Sequence, residues 1–369
     1  MKAFGKRQVA VYFGSVVLGA LGLALVVWLC ISSPSIQPIF VHTELWLKYT
    51  YAIKDTINAR PTQRQRLIII GGSSNLFGFN GAMIEANTSY TFINYGTHGG
   101  LPASYHFDRI MQRARSGDII FVSLNFDIYG QGKPTQDFWY ITNMLSWDKE
   151  YQRYISTLDK LQAYAQLKIL PTLVPLRQLV SQAELEQFIY KQILKPAPQL
   201  DTKLGSESIS IPCQNPNFQG YSYKSLSSTG DFCSQSGSLV LDSTSPYLSK
   251  DLQVSGFFIS EYKRLESFAK ARNIKLFLLY PPTMENPLFS LEDKETHAKM
   301  HNLSSQLAAH NIHFVGDFRD FHYERKYFYD TPYHLNSDGA NLRSASFIKL
   351  LLQLEKQGLI TPKSPPKSK

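Results

Sequence analysis

Leu67-Ile68-Ile69-Ile70-Gly71-Gly72-Ser73-Ser74-Asn75-Leu76-Phe77-Gly78 is the stretch from which the fold can be read. Four consecutive branched apolar residues without alternation describe a strand buried on both faces, as in a parallel sheet covered by helices. Two glycines then let the backbone turn sharply, and a serine follows as the next element begins. Such a turn lies at the C-terminal edge of a parallel sheet, where α/β sites are built.

Outward from this point the same alternation recurs. Phe92 to Asn94 reads as a strand, Tyr105 to Arg115 as a helix, and Ile119 to Leu124 as a strand after the turn Ser116-Gly117-Asp118. Further on, Leu252 to Arg272 reads as helix, Lys275 to Tyr280 as strand, Leu291 to His310 as helix and Ile312 to Val315 as strand. Ser337 to Gln357 follows as a last helix with Leu342, Ala345, Ile348, Leu351 and Leu352 on one face. The predicted fold class is α/β, a doubly wound, mostly parallel sheet in a three-layer sandwich. About 138–250 interrupts it as an insertion, helical at first, with an apolar stripe over about Pro175 to Lys195, and then rich in Ser, Gly, Pro, Asn and Gln. Such an insertion either shapes a groove at the sheet edge or decorates the surface.

Upstream, Val9 to Ile31 is a run of roughly 23 residues without a charge, enough to cross a hydrocarbon core as a helix. A cleaved signal has a shorter apolar stretch and a small-x-small site, which Trp28-Leu29-Cys30-Ile31 does not offer. Lys2, Lys6 and Arg7 precede the span, so the positive-inside rule keeps residues 1–8 cytoplasmic and puts the main domain outside, periplasmic or extracellular. Residues 32–62 are expected to form a juxtamembrane connector, helical over Glu44 to Ala59. The α/β domain then covers 63–360, and 361–369 form a disordered Pro-, Ser- and Lys-rich tail.

The 38 basic and 29 acidic side chains leave a net charge of +9. Lys2, Lys6, Arg7, Lys363, Lys367 and Lys369 account for most of that excess, so the body is near neutral and carries no basic patch for nucleic acid. Cys213 and Cys233 lie close together in the polar part of the insertion, and can pair in an oxidising compartment or stand as two thiols. His297, His301, His310, His313 and His322 lack metal-ligand spacing, and no Gly-Lys-Ser/Thr follows Gly71-Gly72, so neither a metal nor a nucleotide cofactor is expected.

A serine on a tight turn becomes a nucleophile only when an imidazole takes its proton. Ser73 is the first candidate and Ser74 its neighbour; the rival reading is a turn whose serines cap a helix. Asp330-Thr331-Pro332-Tyr333-His334-Leu335-Asn336, just before the last helix, supplies His334 as base and Asp330 as its partner, or else a capping histidine beside a turn aspartate.

Together these segments resemble the SGNH (GDSL) hydrolase superfamily, and within it the membrane-anchored cell-envelope branch of D-alanyl transfer and alginate-type acetylation proteins. The resemblance rests on Ile70 to Gly78, Asn94-Tyr95-Gly96-Thr97-His98-Gly99-Gly100, Leu124-Asn125-Phe126-Asp127 and Tyr329 to Asn336. It covers about Leu67 to Asp127 and Lys275 to Gln357 and omits the insertion. It implies Ser73 as nucleophile, His334 as base and Asp330 as its partner, with an oxyanion hole from the Gly96 and Ser73 amides and the Asn125 side chain. His98 and Asp127 are the further substrate-contact candidates, each with a bland rival: a loop hydrogen bond and a helix cap. The implied activity is an O-acyl, most simply acetyl, esterase or transferase acting on a cell-envelope glycan. Gly72 stands where the family has Asp, the third block reads Leu-Asn-Phe-Asp, and Asp330 lies four residues before His334 rather than three. These departures sustain a second reading, a non-catalytic binding or assembly partner of a membrane-bound O-acyltransferase.

Overall fold

The structure, a computed structural model, describes residues 5–32, 36–39, 43–133, 138–148, 172–175, 179–194, 213, 215, 218–233, 237 and 244–362. They divide into two compact units, Met1–Leu45 with Thr135–Glu186, and Trp46–Pro134 with Gln187–Lys369. In chain order the elements are α1 (Lys6–Ser32), β1 (Ile36–Ile39), α2 (Trp46–Ala59), β2 (Gln65–Gly71), α3 (Ser73–Leu76), α4 (Gly81–Asn87), β3 (Tyr90–Asn94), α5 (Ala103–Met111) and β4 (Ile119–Ser123). There follow α6 (Phe138–Trp147), β5 (Thr172–Pro175), α7 (Gln182–Phe188), α8 (Gly256–Ala271), β6 (Lys275–Leu279), β7 (Thr283–Met284), α9 (Lys294–Ala308), β8 (Phe314–Val315), β9 (His322–Tyr323) and α10 (Ser337–Lys356).

In the first unit, Lys6–Val26 of α1 has a mean hydropathy of 2.3 and is long and apolar enough to cross a membrane. None of that window is buried by protein. β1 pairs antiparallel with β5, and Asn143 of α6 accepts the Glu44 amide at 3.0 Å.

The second unit is built on five parallel strands in the order β3-β2-β4-β6-β8. Counted within the sheet this is 2-1-3-4-5, a doubly wound order whose direction of winding reverses beside the first strand. That strand is β2, which the sequence ends in Gly71-Gly72-Ser73. Leu67 to Ile70 and Ile119 to Val122 are at most 1% exposed, which accounts for their unbroken apolar runs. On one side Phe107 of α5 meets Phe258 and Tyr262 of α8; on the other Phe347 of α10 meets Phe79, Phe92 and Phe121. Each such ring contributes about 1.5–3 kcal/mol by leaving water. Ser255, Asp293 and Asn336 accept backbone amides at the starts of α8, α9 and α10, the capping that these residue types favour.

Three expectations are corrected. The buried stripe of α10 is Ala340, Arg343, Ser344, Phe347, Ile348, Leu351 and Leu354, whereas Leu342, Ala345 and Leu352 are exposed. An apolar count misses this face because Arg343 and Ser344 belong to it through hydrogen bonds. The stripe expected over Pro175 to Lys195 is not one helix: Pro175 ends a strand, and α7 with one wider turn, Ile189–Ile193, covers 182–193. Finally, α2 is part of the α/β unit. It buries Leu47, Ile53 and Ile57, and its Lys54 ammonium, fully buried, donates to Asn94 O at 2.7 Å and Gly230 O at 2.5 Å. The tail from 363 onward lies outside the described residues.

Candidate active site

β2 ends at Gly71 with φ of 140°, a conformation side chains rarely adopt, and a Cβ there would lie 2.0 Å from Ser123 O. The space that glycine leaves lets the Asn75 amide reach back to Ile70 O at 3.1 Å and Ser123 O at 2.7 Å, cross-linking the turn to β4. Ser73 opens the four-residue helix α3 and keeps 7% of its surface. Ser74 beside it is sealed at 0%.

The loop before α10 brings the imidazole. Phe328 and Leu335 form an antiparallel bridge, the Tyr329 amide donates to His334 O at 2.8 Å, and Asn336 caps α10 directly behind. Nε2 of His334 is then 2.8 Å from Ser73 Oγ, although 261 positions separate the two residues. Nδ1 is 2.7 Å from Asp330 Oδ1 and 3.1 Å from the Tyr221 hydroxyl, which itself donates to Asp330 Oδ2 at 2.6 Å. The four-residue spacing therefore still brings Asp330 into contact with His334. Burial pushes the Asp330 carboxyl up, but the hydrogen bond and charge of His334, with the Tyr221 hydroxyl, hold it below its ordinary value. Phe77 stacks on the imidazole at 4.4 Å with 10° between planes, which fixes the ring's tilt.

Beside Ser73, a Cβ on Gly72 would lie 3.0 Å from the Gly99 Cα, so the second loop abuts the first. A Cβ on Gly99 would stand 3.6 Å from Ser73 Oγ and 3.4 Å from the Asn125 amide nitrogen. Among the described residues, neither the Ser73 nor the Gly99 amide donates to a protein acceptor. The Asn125 side chain, 8% exposed, has its Oδ1 buried without a partner, and its Nδ2, which faces Gly99, makes no hydrogen bond among the described residues either. An orphaned buried amide costs about 1–3 kcal/mol unless something else satisfies it.

Gly96 is a correction. Its amide is occupied by Asn94 Oδ1 at 2.9 Å, a two-residue side-chain turn, and a Cβ there would lie 2.6 Å from the Asn75 Cβ. The loop's free donor is three residues on, at Gly99. His98 turns to its own loop, accepting the Gly100 amide on Nδ1 at 3.0 Å, and packs edge-on against Trp46. Asp127 is exposed in a 3-10 turn and accepts from Gln131 at 3.2 Å, with no hydrogen bond to Ser73, His334 or Asp330.

Tyr221 and Phe77 were not legible as neighbours of the Ser73–His334 pair. Phe77 stands within the quoted first block, but nothing there marks it as a ring partner. Tyr221 comes from the insertion, in a segment held by a disulfide between Cys213 and Cys233 whose Cα atoms are 5.1 Å apart. The Thr229 O and Leu76 O contacts of Asn94 and Phe232 join the same segment to the sheet edge. This part of the insertion therefore helps build the site.

No family model matches the chain, and no curated protein matches it. Among solved structures similar to it is the crystal structure of the protein YxiM from Bacillus subtilis. The two share 9% identity at a TM-score of 0.30, over 80% of this chain and 57% of YxiM. The chain thus spans under two thirds of that protein's length.

Proposed function

We propose that the chain is a serine esterase or acyltransferase that takes an O-acyl group, most simply acetyl, from an ester on a cell-envelope glycan. The single observation that carries this reading is the continuous Asp330–His334–Ser73 hydrogen-bond line, with Oδ1···Nδ1 at 2.7 Å and Nε2···Oγ at 2.8 Å, ending beside three unpaired donors. A hydroxyl, an oriented base and preorganised donors for a developing oxyanion are what acyl transfer requires.

In the proposed reaction His334 Nε2 takes the Ser73 proton as Oγ bonds to the acyl carbon. The Ser73 and Gly99 amides and the Asn125 side chain hold the oxyanion, while Asp330 stabilises the imidazolium. The intermediate then expels the ester's alcohol, protonated by His334, and leaves an acyl-serine. Water or a sugar hydroxyl, deprotonated by the same imidazole, attacks that ester and regenerates Ser73. Water gives an esterase and a hydroxyl a transferase. An apolar α1 spanning the membrane, with its basic flank cytoplasmic, would hold this site at the outer face, where a disulfide persists.

The test is hydrolysis of an aryl acetate by the full chain in detergent, with Ser73→Ala and His334→Ala beside it. Turnover should fall by roughly 10⁴-fold or more in each variant, and a serine-reactive phosphonate should label the Ser73 peptide. A folded wild-type chain that neither turns over nor labels is an assembly partner instead.

A further inference from the structure

Arg343 is fully buried on α10, and its guanidinium has no salt bridge to a carboxylate among the described residues. Its acceptors are neutral: Ser74 O at 2.7 Å, Ser123 Oγ at 3.0 Å, Asn75 Oδ1 at 3.2 Å and Tyr280 O at 3.3 Å, with the Phe79 ring at 4.2 Å on its face. Burial brings its pKa down to about 9, which still leaves it charged at neutral pH. A cation buried without a counter-charge is costly, and a leucine would fill such a stripe position at no electrostatic cost.

What the cation holds is specific. Ser74 and Asn75 immediately follow Ser73, Ser123 lies two residues before Asn125, and Tyr280 directly follows the neighbouring strand β6. Asn75 passes the constraint on: its carbonyl accepts from Asn94 Nδ2 at 2.8 Å, and Asn94 Oδ1 binds the Gly96 amide that starts the loop leading to Gly99. The chain also wraps the guanidinium closely, since a Cβ on Gly78 would come within 2.3 Å of it. Each of the three loops that carry an unpaired donor is therefore tied to one planar fork, whose fixed geometry suits several acceptors at once.

We propose that Arg343 is the positioning residue of the oxyanion hole, setting the Ser73, Gly99 and Asn125 donors relative to one another from beneath. It touches no substrate, and this inference rests on the acyl-transfer reading above.

The experiment compares full-length wild type with Arg343→Met, Arg343→Lys and Leu354→Ala, the last a buried residue about three turns farther along the same helix. Arg343→Met should lose about 10²-fold or more in kcat on an aryl acetate with KM within about threefold, because a misplaced oxyanion donor is felt in the transition state. Arg343→Lys should recover part of that loss. Leu354→Ala should lower Tm while keeping kcat. Amide hydrogen exchange at Ser73–Asn75 and Gly96–Gly99 should quicken at least tenfold in Arg343→Met but not in Leu354→Ala. A folded Arg343→Met with wild-type kcat and exchange overturns the proposal while leaving the acyl-transfer reading intact. Leu354→Ala losing kcat and protection in the same proportion would overturn it too, as a purely structural effect. An inert wild type that fails to label at Ser73 removes both readings together.

Discussion

At the scale of single residues, the two glycines of the second block behave differently, and the difference can be measured. A methyl on Gly99 meets Asn125 and Ser73 at 3.4 and 3.6 Å, ordinary contact distances, so Gly99→Ala should fold normally while the methyl occupies the space in which the proposed reaction puts the carbonyl oxygen. We expect a Tm unchanged within about 2 °C and a kcat/KM on aryl acetate reduced by roughly 10²–10³-fold; full activity would remove Gly99 from the site. Gly96→Ala should do the reverse first, lowering Tm, because its methyl has no room beside the Asn75 Cβ at 2.6 Å. Ser73 and His334 were readable as a pair because a strand-glycine-serine turn and a loop histidine are both local signals. The choice of Gly99 over Gly96 was not readable, since it depends on Asn94 having already occupied one amide. For Asp330 the sign of the pH effect is fixed by its depressed carboxyl. A depressed acid contributes stability above its unfolded value of 3.8, and that contribution is lost only as pH falls through the lower folded value. Asp330 therefore stays ionised through the neutral range, and Asp330→Asn should cut kcat throughout that range, by roughly 10⁴-fold at most. Wild-type kcat in Asp330→Asn at neutral pH would contradict this.

Elements explain what a residue-by-residue reading missed. Strand and helix alternation was legible over β2 to β4 and again over α8 to β8, because buried parallel strands and capped helices carry strong local patterns. The α10 face was misjudged for a physical reason: Arg343 and Ser344 are buried by hydrogen bonds, which hydropathy does not see. The insertion was legible only as a change in composition. Its contribution to the site, Tyr221 on the Asp330–His334 pair, comes through a segment of irregular backbone clipped by Cys213–Cys233. Closing a loop of that size contributes about 3 kcal/mol by restricting the unfolded chain. Reduction of the wild type, or Cys213→Ser with Cys233→Ser, should therefore lower Tm by several degrees. Because Tyr221 steadies the base, kcat should also fall several-fold, and added reductant should leave the double variant unchanged. Reduction that costs stability but no activity would mean that Tyr221 is held in place without the clip. Tyr221→Phe isolates the hydroxyl, and a smaller loss of kcat there than on reduction would show that the clip also holds the ring.

For the molecule as a whole, the doubly wound order puts the reversal of winding beside β2, so the first βα turn and the loops after β3 and β4 meet at one sheet edge. That arrangement follows from topology, and the loop before α10 brings His334 to Ser73 although 261 positions separate them. The apolar helix is a different matter of scale. Val11, Phe13, Leu18, Leu21 and Leu25 are each more than half exposed, a surface that water does not tolerate on a soluble chain but that a bilayer would cover. The expected behaviour is that the full chain sediments with membranes and stays there through alkaline carbonate washing. Replacing Leu18 and Leu21 by arginine should release it, since each central arginine costs about 2.5–3.5 kcal/mol of insertion free energy. If α1 acts only as the anchor, aryl acetate turnover by the released variant should equal that of the wild type in detergent. Release by carbonate alone would show that the helix is covered by a protein partner rather than by lipid.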